Sequence, residues 1–186
     1  MSNFLLKSPD CVFIHIPKTG GSSVRHGVWS SEYDGPIFGK IPAEWDHLFK
    51  FTFVRHPCDR LVSAWLDFRQ LRGYEGTIEQ FMDVVEDDRI IYDERRSNTK
   101  ERIRHHTIPQ THPFNCLTAA DFIGRFERFS EDLTHVTAVL NKVALDIPHR
   151  RKTKRGQWHE YLSDDMIARV ADFYEADFVQ LDYEPR

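Results

Sequence analysis

The sequence predicts an α/β fold, a parallel sheet flanked by helices on both faces, in a single domain covering residues 1–186. Three observations lead there. Strand-like runs occur at Val12–Ile16, Leu48–Val54 and Asp121–Glu127. Segments with apolar residues at helical spacing follow them. The first run opens directly onto a glycine turn and then a helix start, the order in which phosphate-binding loops are built.

Bulk properties narrow the class. With 186 residues the chain can bury a sizeable core, and 40% hydrophobic with 29% charged residues suits a globular protein. A net charge of −4 argues against a general nucleic-acid binder. Cys11, Cys58 and Cys116 are odd in number and far apart, with no C-x-x-C pair and no disulfide framework. The opening residues Met1–Lys7 are too short and too weakly apolar for a signal peptide, and no stretch has the length of a membrane span. The expected location is therefore cytoplasmic. Oligomeric state is not legible.

The first strand runs Val12 to Ile16, and Pro17 ends it because proline cannot continue the ladder. Gly20 and Gly21 permit a sharp turn and a close approach of backbone to ligand. Ser22 suits a helix start, and Val24, Val28 and Trp29 share one helical face. Loop amides there favour an anion, with Lys18 adding a mobile charge and Thr19, Ser22 and Ser23 adding hydroxyls. The nucleoside-triphosphate loop reads G-x-x-x-x-G-K-[ST]. In this chain the lysine precedes the glycines, so a different phosphate loop is indicated.

Ser30–Pro42, with its two glycines and two prolines, reads as a connecting loop. The second strand, Leu48–Val54, ends at Arg55-His56-Pro57, and Asp59 is placed to cap the next helix. Leu61, Val62, Trp65, Phe68 and Leu71 recur on that helix as a broad apolar face. Arg55 stands at the carboxyl end of its strand, where ligands of open α/β sheets bind, and its guanidinium suits a phosphate. Ser63 lies two helical turns further on.

Thr77 and Gln80 have capping-box spacing, with Ile78, Phe81, Met82 and Val85 facing the core. The mixed charges of Glu86–Arg104 read as a solvated segment. In His105-His106-Thr107-Ile108-Pro109-Gln110-Thr111-His112, an imidazole poised near neutral pH is a candidate proton acceptor or acceptor-positioning group. A structural hydrogen bond is the alternative for each histidine. His106, His112 and Cys116 fit no common zinc spacing. After the third strand, Ser130 reads as the cap of a helix bearing Val136, Val139, Leu140 and Val143. Pro148–Gly156 is basic, with five Lys or Arg in the six positions 150–155. A last helix starts near Ser163, with Ile167, Val170, Phe173 and Tyr174 on its apolar side.

Two stretches carry a resemblance to a known family. His15-Ile16-Pro17-Lys18-Thr19-Gly20-Gly21-Ser22-Ser23 resembles the 5′-phosphosulfate loop of sulfotransferases that use 3′-phosphoadenylyl sulfate (PAPS), most closely the carbohydrate-type branch. Phe53-Val54-Arg55-His56-Pro57, continuing through Arg60-Leu61-Val62-Ser63 to Trp65, resembles that branch's F-V-R-x-P-x-x-R-L-V-S-x-[YW]. Looser likenesses are His106 with Pro109, Asp121–Glu127 with Glu131-Asp132, and Tyr174–Phe178. The resemblance implies a P-loop-containing sulfotransferase fold. It implies transfer of a sulfuryl group from PAPS to a hydroxyl, a carbohydrate hydroxyl by branch, leaving 3′-phosphoadenosine 5′-phosphate. It implies Lys18, Thr19, Gly20, Gly21, Ser22 and Ser23 at the 5′-phosphate, Arg55 and Ser63 at the 3′-phosphate, and no metal. Lys154 and Arg155, with Gly156, match loosely a basic loop that closes over the nucleotide, and Arg60 is read as structural, paired with a carboxylate. Lys18 and His106 are the implied catalytic residues. The histidine that relatives carry before the second strand is missing, which leaves His26, Glu32, Asp34, His47, His105 and His112 as other candidates for the base. A small-molecule kinase and a non-catalytic nucleotide-binding domain are the alternatives. The order of Lys18 and the glycines, and the want of a magnesium-binding carboxylate after a strand, weigh against the kinase.

Overall fold

Strand Cys11–His15 (β2) is the centre of a five-stranded sheet ordered β3-β1-β2-β4-β5. The structure, a computed structural model, describes residues 2–92, 97–142 and 156–185. Parallel ladders join β2 to β4 (Lys50–Val54) and β4 to β5 (Phe122–Arg125), through pairs such as Phe13↔Phe51 and Val54↔Arg125. Two further strands make the sheet mixed rather than wholly parallel. Ser2–Leu6 (β1) pairs antiparallel with β2, since the few residues between them allow a hairpin but no crossover. Tyr33–Phe38 (β3) pairs antiparallel with β1, inside the stretch read as a loop. Gly35 and Pro36 hid this strand, yet proline is admissible in an edge strand, and β3 is one.

The chain divides into two compact units, Met1–Arg55 with His112–Lys152, and His56–Thr111 with Thr153–Arg186. In the sheet unit, strand alternation sorts side chains to opposite faces. Phe4, Leu6, Cys11, Phe13, Phe51 and Phe53 pack with Val24 and Trp29 and with Phe129, Leu133 and Val136 of α4 (Phe129–Val139). Leu5, Val12, Ile14 and Trp45 cluster separately. α4 starts one residue before Ser130, which therefore lies in the first turn and does not cap it. Val139 is exposed rather than core-facing, and Val143 lies outside the described residues.

The helical unit holds α1 (Pro57–Arg72), α2 (Ile78–Glu86), α3 (Thr99–Thr107), α5 (Asp164–Phe173) and α6 (Glu175–Gln180). Proline at the first position starts α1 with Asp59 in its first turn, and left-handed Gly73 stops it. Leu61, Val62, Trp65 and Phe68 are buried as the spacing implies, whereas Leu71 is 66% exposed in the last turn. The Thr77–Gln80 capping box forms, and Ile78, Phe81, Met82 and Val85 are buried. Helix α3 emerges from the segment read as solvated, started by Asn98, whose side chain accepts from the Glu101 amide. Arg104 on α3 is buried and donates to the carbonyls of Ile90 and Val85.

Candidate nucleotide-binding site

The glycine turn follows β2 at the carboxyl end of the parallel strands, as predicted. Lys18 takes φ +72, a left-handed conformation uncommon outside glycine, and Gly20 takes φ +94. A Cβ on Gly20 would lie 2.5 Å from Cε2 of Phe129, and one on Gly21 would lie 2.4 Å from Nε2 of His15. Glycine is thus required twice, by close approach of an aromatic ring and an imidazole. The Ser23 and Val24 amides bond to the Gly20 carbonyl at 2.9 and 3.2 Å and turn the chain into a helix. The helix is a six-residue π-helix, Ser23–Val28, with Ser22 at its N-cap position making no side-chain cap bond. So short an element contributes little dipole, which leaves Lys18 and the loop amides as the main attraction for an anion.

The hydroxyls predicted to line the turn differ in disposition. Thr19 is fully buried, and its hydroxyl donates to the Ile16 carbonyl at 2.8 Å, so it braces the turn from inside. Ser23 is also buried, while Ser22 is half-buried.

Arg55, directly after β4, is 5% exposed. Its Nη1 donates to the Lys18 carbonyl at 2.9 Å, and its guanidinium carbon stands 3.9 Å from the centre of the Phe126 ring. The two motifs, separated by 37 positions, therefore meet at one hydrogen bond. Phe126, which the sequence places in the third strand-like run, comes to Arg55 through strand register, which sequence spacing does not reveal.

Ser63 and His106 belong to the helical unit. Ser63 is buried on α1. On α3, His106 Nδ1 lies 2.7 Å from the Arg102 carbonyl, so it must carry the proton, and Arg72 Nη2 stands 3.3 Å from Nε2 and can only donate. In this arrangement the Nε2 lone pair is directed at Arg72. The segment around it is tied down by charge and hydroxyls. Buried Arg60 donates to the carbonyls of His106 and Ile108 at 3.2 and 2.8 Å, in keeping with a structural role. Tyr174 donates to the Thr107 carbonyl at 2.6 Å. Asp177, fully buried, accepts from the Gln110 and Thr111 amides at 2.8 and 2.9 Å and from the Thr111 hydroxyl.

Of the other base candidates, His26 Nδ1 sits 2.8 Å from the Ser31 hydroxyl, and Asp34 pairs with Lys7 at 3.1 Å. His112 Nδ1 accepts from the Phe114 amide, His105 is buried, and Glu32 and His47 are exposed. Lys154 and Arg155 lie outside the described residues. Burial pushes the Cys11 and Cys58 thiols up to about 12, which removes them as nucleophiles. No cluster able to hold a metal occurs among the described residues.

A model of the Sulfotransferase family matches residues 39–184. The chain belongs to the sulfotransferase family. The match takes in Arg55, Ser63 and His106 and begins after the glycine turn. Carbohydrate sulfotransferase 14 of Homo sapiens is 29% identical over 140 residues, covering 65% of this chain and 35% of that protein. Its Mus musculus counterpart is 28% identical over the same shares. This sulfotransferase chain thus spans about a third of the length of the curated relatives it matches. A crystal structure of a sulfotransferase from Alicyclobacillus acidocaldarius is similar at a TM-score of 0.45 and 17% identity, over 75% of this chain and 55% of that one. No helix among the described residues is long and apolar enough to cross a membrane.

Proposed function

We propose that this chain transfers a sulfuryl group from PAPS to a hydroxyl of a carbohydrate acceptor, acting as one domain over residues 1–186. The observation that carries the reading is the bond from Arg55 to the Lys18 carbonyl, which joins the two family motifs at one turn. Family membership favours sulfuryl over phosphoryl transfer.

The loop fits a nucleotide phosphate. It offers no side chain at the two glycines and a lysine beside them. When bound, PAPS supplies an activated sulfuryl group. Lys18 places positive charge where the leaving phosphate gains negative charge. The loop amides, with Ser22 and Ser23, orient the 5′-phosphate. Arg55 and Ser63 hold the 3′-phosphate; α1, which carries Ser63, begins two residues after Arg55. Such a reaction needs alignment and charge stabilisation more than covalent catalysis. His106 either takes up the proton that the acceptor hydroxyl loses or positions that hydroxyl, exchanging its bond to Arg72 for one to the acceptor.

Isothermal titration with 3′-phosphoadenosine 5′-phosphate, beside ATP and ADP, tests the cofactor. Tight binding of the bisphosphate, lost in Arg55→Ala, is expected, and preference for ATP refutes the reading. Lys18→Ala should lower turnover on the order of 100-fold with a much smaller loss of nucleotide affinity. Equal losses in both would remove Lys18 from the transition state.

A further inference from the structure

We propose that Phe126 is a positioning residue for the nucleotide loop, acting through Arg55 on Lys18. The inference rests on the reading of that loop as the nucleotide site.

β4 and β5 run parallel with Val54 opposite Arg125. Continued by one residue, that register sets Arg55 beside Phe126. The end of β5 is itself secured, because the Arg125 amide donates to Asp132 Oδ2 at 2.6 Å. The Phe126 ring is thus carried on a fixed strand end, and the Arg55 guanidinium lies 3.9 Å from its centre. A cation over a ring face at this distance is held by the ring quadrupole, more strongly when desolvated, and Arg55 is only 5% exposed.

The guanidinium in turn donates to the Lys18 carbonyl. Lys18 has φ +72, where a residue with a Cβ stays only if its surroundings hold it. Arg55 supplies that hold at the Lys18 peptide, through a charge-assisted bond. Without the ring, the guanidinium keeps its charge but loses the surface that fixes its plane. The Lys18 peptide then relaxes toward commoner conformations, and the ammonium no longer points from a fixed backbone. Phe126 touches neither nucleotide nor acceptor in this account.

Phe126→Leu keeps an apolar side chain and removes the π-face, whereas Phe126→Tyr keeps both. Hydrogen exchange of the free protein is followed by mass spectrometry, with titration of 3′-phosphoadenosine 5′-phosphate in parallel. In Phe126→Leu, exchange over residues 16–24 should rise roughly tenfold while β2 and β4 keep their protection, and Phe126→Tyr should match the wild type. Nucleotide affinity should fall by a similar factor in the leucine variant alone. Unchanged loop exchange, loosening spread through β2 and β4, or equal effects of leucine and tyrosine would overturn the inference. A wild-type protein that fails to bind the bisphosphate would overturn the nucleotide reading instead, and the exchange comparison would still judge the Phe126–Arg55–Lys18 clamp.

Discussion

Gly20→Ala isolates the tightest steric demand of the glycine turn. Two costs follow from the geometry. At φ +94 an alanine occupies a backbone region that L-residues disfavour, costing about 1–2 kcal/mol. Its Cβ would also stand 2.5, 3.0 and 3.1 Å from Cε2, Cζ and Cδ2 of Phe129. Phe129, the first residue of α4, is 2% exposed and packed into the sheet unit's core, so it has little room to move. Overpacking of this kind costs about 1–3 kcal/mol. A combined loss near 3 kcal/mol lowers the melting temperature by roughly 6–12 °C in a chain of this size. Urea unfolding and calorimetry measure it. Phe129→Leu has no atoms at the Cε2 and Cζ positions, so it removes the steric share and leaves the backbone share. The Gly20→Ala/Phe129→Leu cycle should therefore show a favourable coupling of about 1–2 kcal/mol. An unchanged melting temperature for Gly20→Ala, or strict additivity in the cycle, would refute the close approach of Phe129 to the loop.

Gly21→Ala should behave differently, because its Cβ would meet the imidazole of half-buried His15 rather than a core ring. Adding His15→Ala should restore most of the lost stability, as read by thermal melting. The buried thiols set an alkaline limit. Folding raises Cys11 and Cys58 from 9.0 to about 12, so between these values the unfolded chain releases protons that the folded chain keeps. Stability is complete below pH 9 and should fall above it by about 1.4 kcal/mol per pH unit for each thiol, with Cys11→Ser or Cys58→Ser flattening the slope in urea titrations. Asp177→Asn keeps one carbonyl acceptor for the Gln110 and Thr111 amides but loses the charge. It should cost about 1–3 kcal/mol, measured by urea unfolding, and a neutral result would deny Asp177 its anchoring role.

The sequence alone determined what depends on local chemistry. Apolar runs ending in proline marked the central parallel strands, and helical periodicity with cap residues marked α1, α2 and α5. The lysine–glycine turn and the Arg55 motif were legible because backbone freedom and charge at fixed spacing are local properties. β1 and β3 were not legible. One is a short opening run and the other contains Gly35 and Pro36, and only pairing with an existing sheet makes either a strand. Helix α3 was hidden by its charges, because what buries Arg104 is a pair of distant carbonyls. The partners of Arg55 and of Gly20 likewise come from residues 126 and 129, far along the chain. Spacing states which groups are present. Strand register and ring packing decide which of them touch, because those contacts form only when segments remote in sequence are brought together by a common core.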